Sequence, residues 1–196
     1  MAMGRNDVIV TLNVMGVKVP IYGIDVAVHE AGHALVACRE PIEFELIELN
    51  ASSQAGQGVL LARLLLTSAG KSSIECDPQL ALRLAIGGPA AEFAYKKRQE
   101  PNLAMYYYFA HASVNGGWYD DTRQAALTLY PEWERESSHP PKEIWPRLQP
   151  RFESSVKSLE ESDDLNRIIA LANDLLLTEG QRMYADEVKS YFQDSL

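Results

Sequence analysis

The residues best placed to do chemistry in this 196-residue chain are His29, Glu30 and His33, in the string His29-Glu30-Ala31-Gly32-His33. On a helix, positions i and i+4 lie on one face a turn apart, so two imidazoles at that spacing can hold one tetrahedral Zn2+. Glu30 lies about 100° further round the helix, so its carboxylate reaches the open side of the metal rather than the metal itself. The chemistry this predicts is that of a zinc peptidase. The ion lowers the pKa of a bound water, Glu30 takes the proton, and the resulting nucleophile attacks a peptide carbonyl polarised by the same ion. The bland alternative is a helix with two hydrogen-bonded core histidines. Ala27, Ala31, Gly32, Ala34 and Ala37 argue against it, because they leave room beside the imidazoles. Gly32 costs about 1 kcal/mol inside a helix, so its presence predicts a close approach by another element.

A catalytic zinc needs a third protein ligand and an open fourth position. The candidates are His111, in an aromatic-rich stretch; His139, in a proline-rich one; Glu92, after a Gly-Gly-Pro string; and Asp120 and Asp121, at the start of a helical pattern. Residue type and spacing leave all five open. An Asp at a helix N-terminus is most often only a cap, and a helical Glu most often a solvated face residue.

The elements that must position these groups follow from periodicity and punctuation. Residues 1–22 read as two strands of a hairpin, with Val8, Val10, Leu12 and Val14 alternating before a Met-Gly turn. Residues 26–39 read as a helix capped by Asp25, apolar over most of its surface and therefore central. Residues 43–66 hold two strands around a loop (NASSQAGQG). Residues 77–98 form a helix that the Gly87-Gly88-Pro89 string kinks or breaks. An aromatic connection spans 99–119 and a helix 120–130. A stiff proline-rich connector covers 131–150, and two helices occupy about 151–175 and 181–193. The fold class is α+β and mainly helical, in a single domain with a small sheet.

Composition narrows the function. Eighteen Lys and Arg against 27 Asp and Glu give a net charge of −9, which excludes the basic surface that nucleic acid or anionic lipid requires. Two cysteines, Cys38 and Cys76, exclude a disulfide scaffold or a Cys-rich zinc module; Cys38 reads as core. The longest apolar stretch, Val59 to Leu66, is broken by Arg63 and far too short to cross a bilayer. Without a signal-peptide pattern at the N-terminus, the expected location is cytoplasmic, with no membrane insertion.

Four blocks of the chain resemble the peptidase domain of the FtsH-type AAA zinc proteases. AVHEAGHALVA, within 26–37, is similar to that family's HEAGH helix. FELIELN and GQGVLLARL, within 44–64, are similar to its hairpin. LAIGGPAAE (84–92) is similar to its GGRAAE helix, with Pro89 in place of Arg. Asp121-Thr122-Arg123-Gln124-Ala125 is similar to the start of its NDLxxAT helix. The likeness spans about residues 25–192. It implies a zincin-like helical peptidase domain carrying a small sheet. It also implies a zinc held by His29, His33 and Asp121, with Glu30 as general base and Glu92 as a supporting or structural group. Asp120 falls where the family has Asn. No G-x-x-x-x-G-K-[ST] loop and no membrane anchor occur, the strands of 1–22 are additional, and the aromatic stretch 101–119 is bulkier.

The expected function is therefore an ATP-independent zinc metalloendopeptidase acting on unfolded or flexible polypeptide. An extended substrate would add as a strand to an exposed sheet edge at Val59 to Leu64. Tyr106 to Phe109 would form a lid, a side-chain pocket or ordinary core. Resemblance suggests a homo-oligomer, a six-membered ring or something smaller. Two competing readings remain. One is a silent peptidase-like domain acting as a binding or adaptor protein, with its cleft occluded. The other is a different zinc peptidase with Glu92 as third ligand. The metal shell discriminates between them.

Overall fold

The computed structural model describes residues 3–14, 16–49, 62–106, 108–109, 112, 118–129 and 144–193. His111, His139, the expected loop at 50–58, the first three residues of the strand expected at Val59 to Leu66, and most of the proline-rich stretch lie outside these residues. Strands β1 (Val8–Val14) and β2 (Val17–Tyr22) form the expected N-terminal hairpin, turning at Gly16 with φ of +82°. Helix α1 (Gly23–Arg39) follows directly. It begins two residues before Asp25, so Asp25 is not the cap. The N-terminal segment supplies the missing partners instead: Gly23 and Ile24 donate their N–H groups to the carbonyls of Asp7 and Arg5. From the third helical position, Asp25 accepts the Tyr22 N–H at 2.6 Å.

A three-stranded antiparallel sheet has the order β4-β3-β5, with β3 at Phe44–Leu49, β4 at Ala62–Leu66 and β5 at Arg182–Tyr184. Its central strand carries a buried Glu48. Arg63 on one neighbour and Arg182 on the other, each directly opposite, clamp that carboxylate at 2.6 and 2.7 Å. Strand β5 and helix α2 (Ser68–Cys76) are additions to the sequence reading. Thr67 caps α2 through the Gly70 N–H, and a Cβ at position 70 would run into the Glu43 carbonyl.

Helix α3 (Pro78–Gln99) starts from Asp77, which accepts the Gln79 and Leu80 N–H groups. The expected break at Gly87-Gly88-Pro89 is absent, and the helix continues through it. Proline forfeits only the hydrogen bond to the Ala85 carbonyl. The loss is outweighed by packing, for every residue from 85 to 95 is buried. Helix α4 (Tyr119–Leu129) lies where the pattern put it. The last part of the chain forms three helices rather than two: α5 (Ile144–Glu161), α6 (Asp164–Leu177) and α7 (Ala185–Phe192). Helix α5 extends into the proline-rich stretch, so residues 144–150 are helical and not a connector. Asp163 begins a new N-terminus, whose Asp164 side chain accepts from Ser162.

Helix α1 is the centre of the molecule. Ala27, Val28, Ala31 and Ala34 are wholly buried, as are Leu165, Ile168, Leu171, Ala172 and Leu175 on α6. The architecture is thus α+β and mainly helical, with the small sheet at one side. No helix among the described residues is long and apolar enough to cross a membrane.

Candidate metal centre

His29 and His33 lie one turn apart on α1, and both rings are buried, with centroids 4.8 Å apart. Their orientation is set from outside α1. His33 Nδ1 donates to the Leu84 carbonyl of α3 at 2.7 Å. His29 Nδ1 lies 3.0 Å from Glu92 Oε2, also on α3. Both Nε2 atoms are thereby turned toward one point. Asp121, from the first turn of α4, meets them there. Its Oδ2 is 2.9 Å from His29 Nε2 and its Oδ1 is 3.4 Å from His33 Nε2. The two Nε2 atoms are 3.1 Å apart.

These three side chains can hold a metal ion, since one donor atom from each lies within 4.8 Å of the others. The spacing agrees with the chemistry of the donors. In a tetrahedral shell with bonds of about 2.0–2.1 Å, neighbouring donor atoms stand roughly 3.3 Å apart. Of the sequence candidates, Asp121 reaches both Nε2 atoms. Glu92 sits on the opposite nitrogen of His29, and Asp120 is exposed at the rim.

The electrostatics fit a shared proton or cation. Burial opposes a charged His29, but the Asp121 and Glu92 carboxylates outweigh it and hold its pKa well above the usual imidazole value. Burial opposes a charged His33 as well, and Asp121 again prevails. Burial would also raise Asp121, yet the two imidazoles hold it far below the usual carboxylate range. Glu30 is buried beside them, and burial raises its pKa against the pull of His33 and His29. The backbone N–H of Leu64 on β4 also works against that rise.

Glu30 shares a cleft of about 240 Å³ with His29, His33 and Asp121. Strand β4 forms one wall through Ala62, Arg63, Leu64 and Leu66, while Ile74 of α2 and Ala81, Leu84 and Ala85 of α3 supply an apolar side. Among the described residues β4 pairs only with β3, and it is the strand of the sheet that lines the cleft.

Several contributors escaped the sequence reading. Gly88 is one: a Cβ there would collide with His33 Nε2 and stand 2.8 Å from His29 Cδ2. Within the Gly-Gly-Pro string, read as a kink or break, Gly88 leaves the space into which the imidazoles project. Gly32 did signal a close approach, for a Cβ would stand 2.5 Å from both the Gly87 carbonyl oxygen and the Ala91 Cβ. Tyr108 and Trp118 are the others. They donate to Glu92 at 2.6 Å each. Tyr108 and Phe109 are buried among Phe93, Trp118 and Phe152, with the partly buried Trp145 against Phe109, so these two belong to the core and not to a lid. Tyr106 is exposed and packs on Trp145, 5.6 Å between centroids. Cys38 is half-buried, and burial pushes its thiol up to about 11, consistent with an inert packing role.

No protein-family model matches the chain, and neither the curated proteins nor the solved structures give a significant match.

Proposed function

We propose that this protein is a zinc metalloendopeptidase of zincin-like architecture, related to the peptidase domains of FtsH-type proteases, that cleaves unfolded or flexible polypeptide without ATP. The observation that carries the reading is the convergence of His29 Nε2, His33 Nε2 and the Asp121 carboxylate on one point, in a cleft that also contains Glu30. Three protein ligands with an adjoining carboxylate that is not among them is the pattern of a catalytic zinc and not of a structural one, which closes with four. His29, His33 and Asp121 would hold the ion. When bound, it supplies Lewis acidity toward a carbonyl oxygen and acidifies a water.

The rest falls to the chain's own residues. Glu30, desolvated and so a better base than a surface carboxylate, takes a proton from water and returns it to the leaving amine nitrogen. The outer edge of β4, which pairs with no other described strand, would offer main-chain donors and acceptors to an extended peptide, whose side chains alternate between the apolar side of the cleft and solvent. That mode of capture favours polypeptide that is already unfolded. The adaptor alternative requires an occluded cleft, whereas the aromatic side chains of 108, 109 and 118 turn inward to the core and none of the three lines the cleft.

The test is metal analysis together with casein cleavage by the wild type and by Glu30→Gln. The expected result is one zinc per chain in both proteins and cleavage by the wild type alone. Equal cleavage by the two would remove Glu30 from the chemistry. Absence of zinc from the folded wild type would end the peptidase reading.

A further inference from the structure

We propose that Trp118 and Tyr108 are positioning residues of the metal centre, acting through Glu92 to hold the His29 ring with Nδ1 on that carboxylate and Nε2 toward the ion site. The inference rests on the metal-centre reading and extends it to two side chains that touch neither ion nor substrate. The buried Glu92 carboxylate receives three groups at once. Tyr108 O–H donates to Oε1 at 2.6 Å, Trp118 Nε1–H donates to Oε2 at 2.6 Å, and His29 Nδ1 stands 3.0 Å from that same Oε2. An indole N–H can only donate. Oε2 is therefore an acceptor, and the hydrogen between it and His29 belongs to Nδ1. Nδ1 is thereby committed to Glu92, and Nε2 is the nitrogen left to face His33 and Asp121. With an aromatic donor on each oxygen, the carboxylate cannot swing away from His29 without giving up two short hydrogen bonds.

Trp118 is also tied to the third ligand. Its carbonyl accepts the Thr122 N–H at 2.8 Å, which makes it the residue from which α4 springs, three positions before Asp121. The ring is wholly buried, edge-on to Tyr108 at 5.2 Å and tilted on Phe152 at 5.8 Å between centroids. One side chain thus joins the outer side of the first ligand to the start of the helix that aims the last. The two aromatic donors brace the centre from behind and leave the cleft open.

The experiment measures zinc affinity, by competition with a chromophoric chelator, for the wild type, Tyr108→Phe, Trp118→Phe, Glu92→Gln and the double variant Tyr108→Phe/Glu92→Gln. The two Phe variants keep an aromatic ring and remove the donor. Each should lose affinity by roughly 10–100-fold, the range found when the partner of a metal-bound histidine is disturbed. If Tyr108 acts through Glu92, the double variant binds zinc no more weakly than Glu92→Gln alone. Losses that multiply in the double variant would mark a merely structural tyrosine and overturn the proposal. So would a Tyr108→Phe protein within twofold of the wild type, and that variant decides the matter even if Trp118→Phe does not fold. A wild type that takes up no zinc would instead sink the metal centre itself, and this proposal with it.

Discussion

Gly88 sets the space in which the two imidazoles meet, and the consequence is testable with one methyl group. Gly88→Ala should raise the intrinsic helix propensity of α3 by about 1 kcal/mol. The new Cβ would nonetheless collide with His33 Nε2. Zinc affinity should therefore fall by more than about tenfold, in line with a displaced ligand, while the metal-free protein stays helical by circular dichroism. Unchanged zinc uptake would show that the imidazoles have another way to fit. At this scale the sequence was informative about one helix and nearly blind between helices. His29, Glu30 and His33 announced themselves because their geometry is local. Asp121 could be singled out from Asp120 and Glu92 only by resemblance, since its approach depends on how α4 docks. Gly88, Tyr108 and Trp118 gave no signal, because each matters only through a contact with a residue distant in sequence.

Elements that pack backbone to backbone were the ones least readable from pattern. Helix α2 has few apolar residues and so no clear periodicity; what holds it is Thr67, whose N–H reaches the Glu43 carbonyl at 3.1 Å, and Gly70, which lets that carbonyl approach. Gly70→Ala should force α2 away from β3, at a cost on the order of 1–3 kcal/mol. Since Ile74 lines the cleft and no α2 residue is among the three converging side chains, that substitution should raise KM for peptides while zinc content stays at the wild-type level. Loss of zinc with unchanged KM would contradict the assignment of α2 to the substrate wall. Strand β5 is only three residues long and owes its existence to β3, including the pairing of Arg182 with Glu48. Pro89 misled for a related reason. A proline weakens a helix by local rules, but a helix enclosed on most sides does not break at one missing hydrogen bond.

For the molecule as a whole, a buried ion pair fastens the hairpin to α1, which carries the two histidines, and to α3, which orients them. Lys96 Nζ, near the end of α3, lies 2.6 Å from Asp25 Oδ2, donates to the Pro20 carbonyl of β2 and sits over the Tyr22 ring. Burial pushes the Asp25 carboxyl up to about 6, the attraction of Lys96 notwithstanding, and its Oδ1 has no hydrogen-bond partner among the described residues. A raised carboxyl pKa means that between about pH 4 and pH 6 the folded protein holds a proton the unfolded chain has released. This group's contribution to stability therefore falls as pH rises across that window and levels off above it. The size is about 2–3 kcal/mol at one unit per 1.4 kcal/mol. Chemical denaturation from pH 4 to 7 should show this slope in the wild type and not in Asp25→Asn/Lys96→Met, which removes both charges together. Identical pH profiles would show that Asp25 does not titrate in that range. The α+β, mainly helical class was readable from periodicity alone, because it depends on how many apolar stripes exist and not on how they meet. The ion pair was not, since Asp25 looked like a helix cap and its partner Lys96 lies 71 residues further along the chain.

The crossing of α1 and α3 at Gly32 and Gly87 bears on how the protein moves. Here a Cβ on Gly32 would stand 2.5 Å from the Gly87 carbonyl oxygen and one on Gly87 3.0 Å from the Gly32 carbonyl oxygen, so the two backbones pack with little side chain between them to absorb a shift. The two helices should breathe as one slab. In deuterium exchange, amides around residues 30–35 and 86–91 should be the slowest in the protein and exchange only with global opening. Any adjustment that accompanies a visitor in the cleft must then come from the opposite bank, formed by β4 and the start of α4.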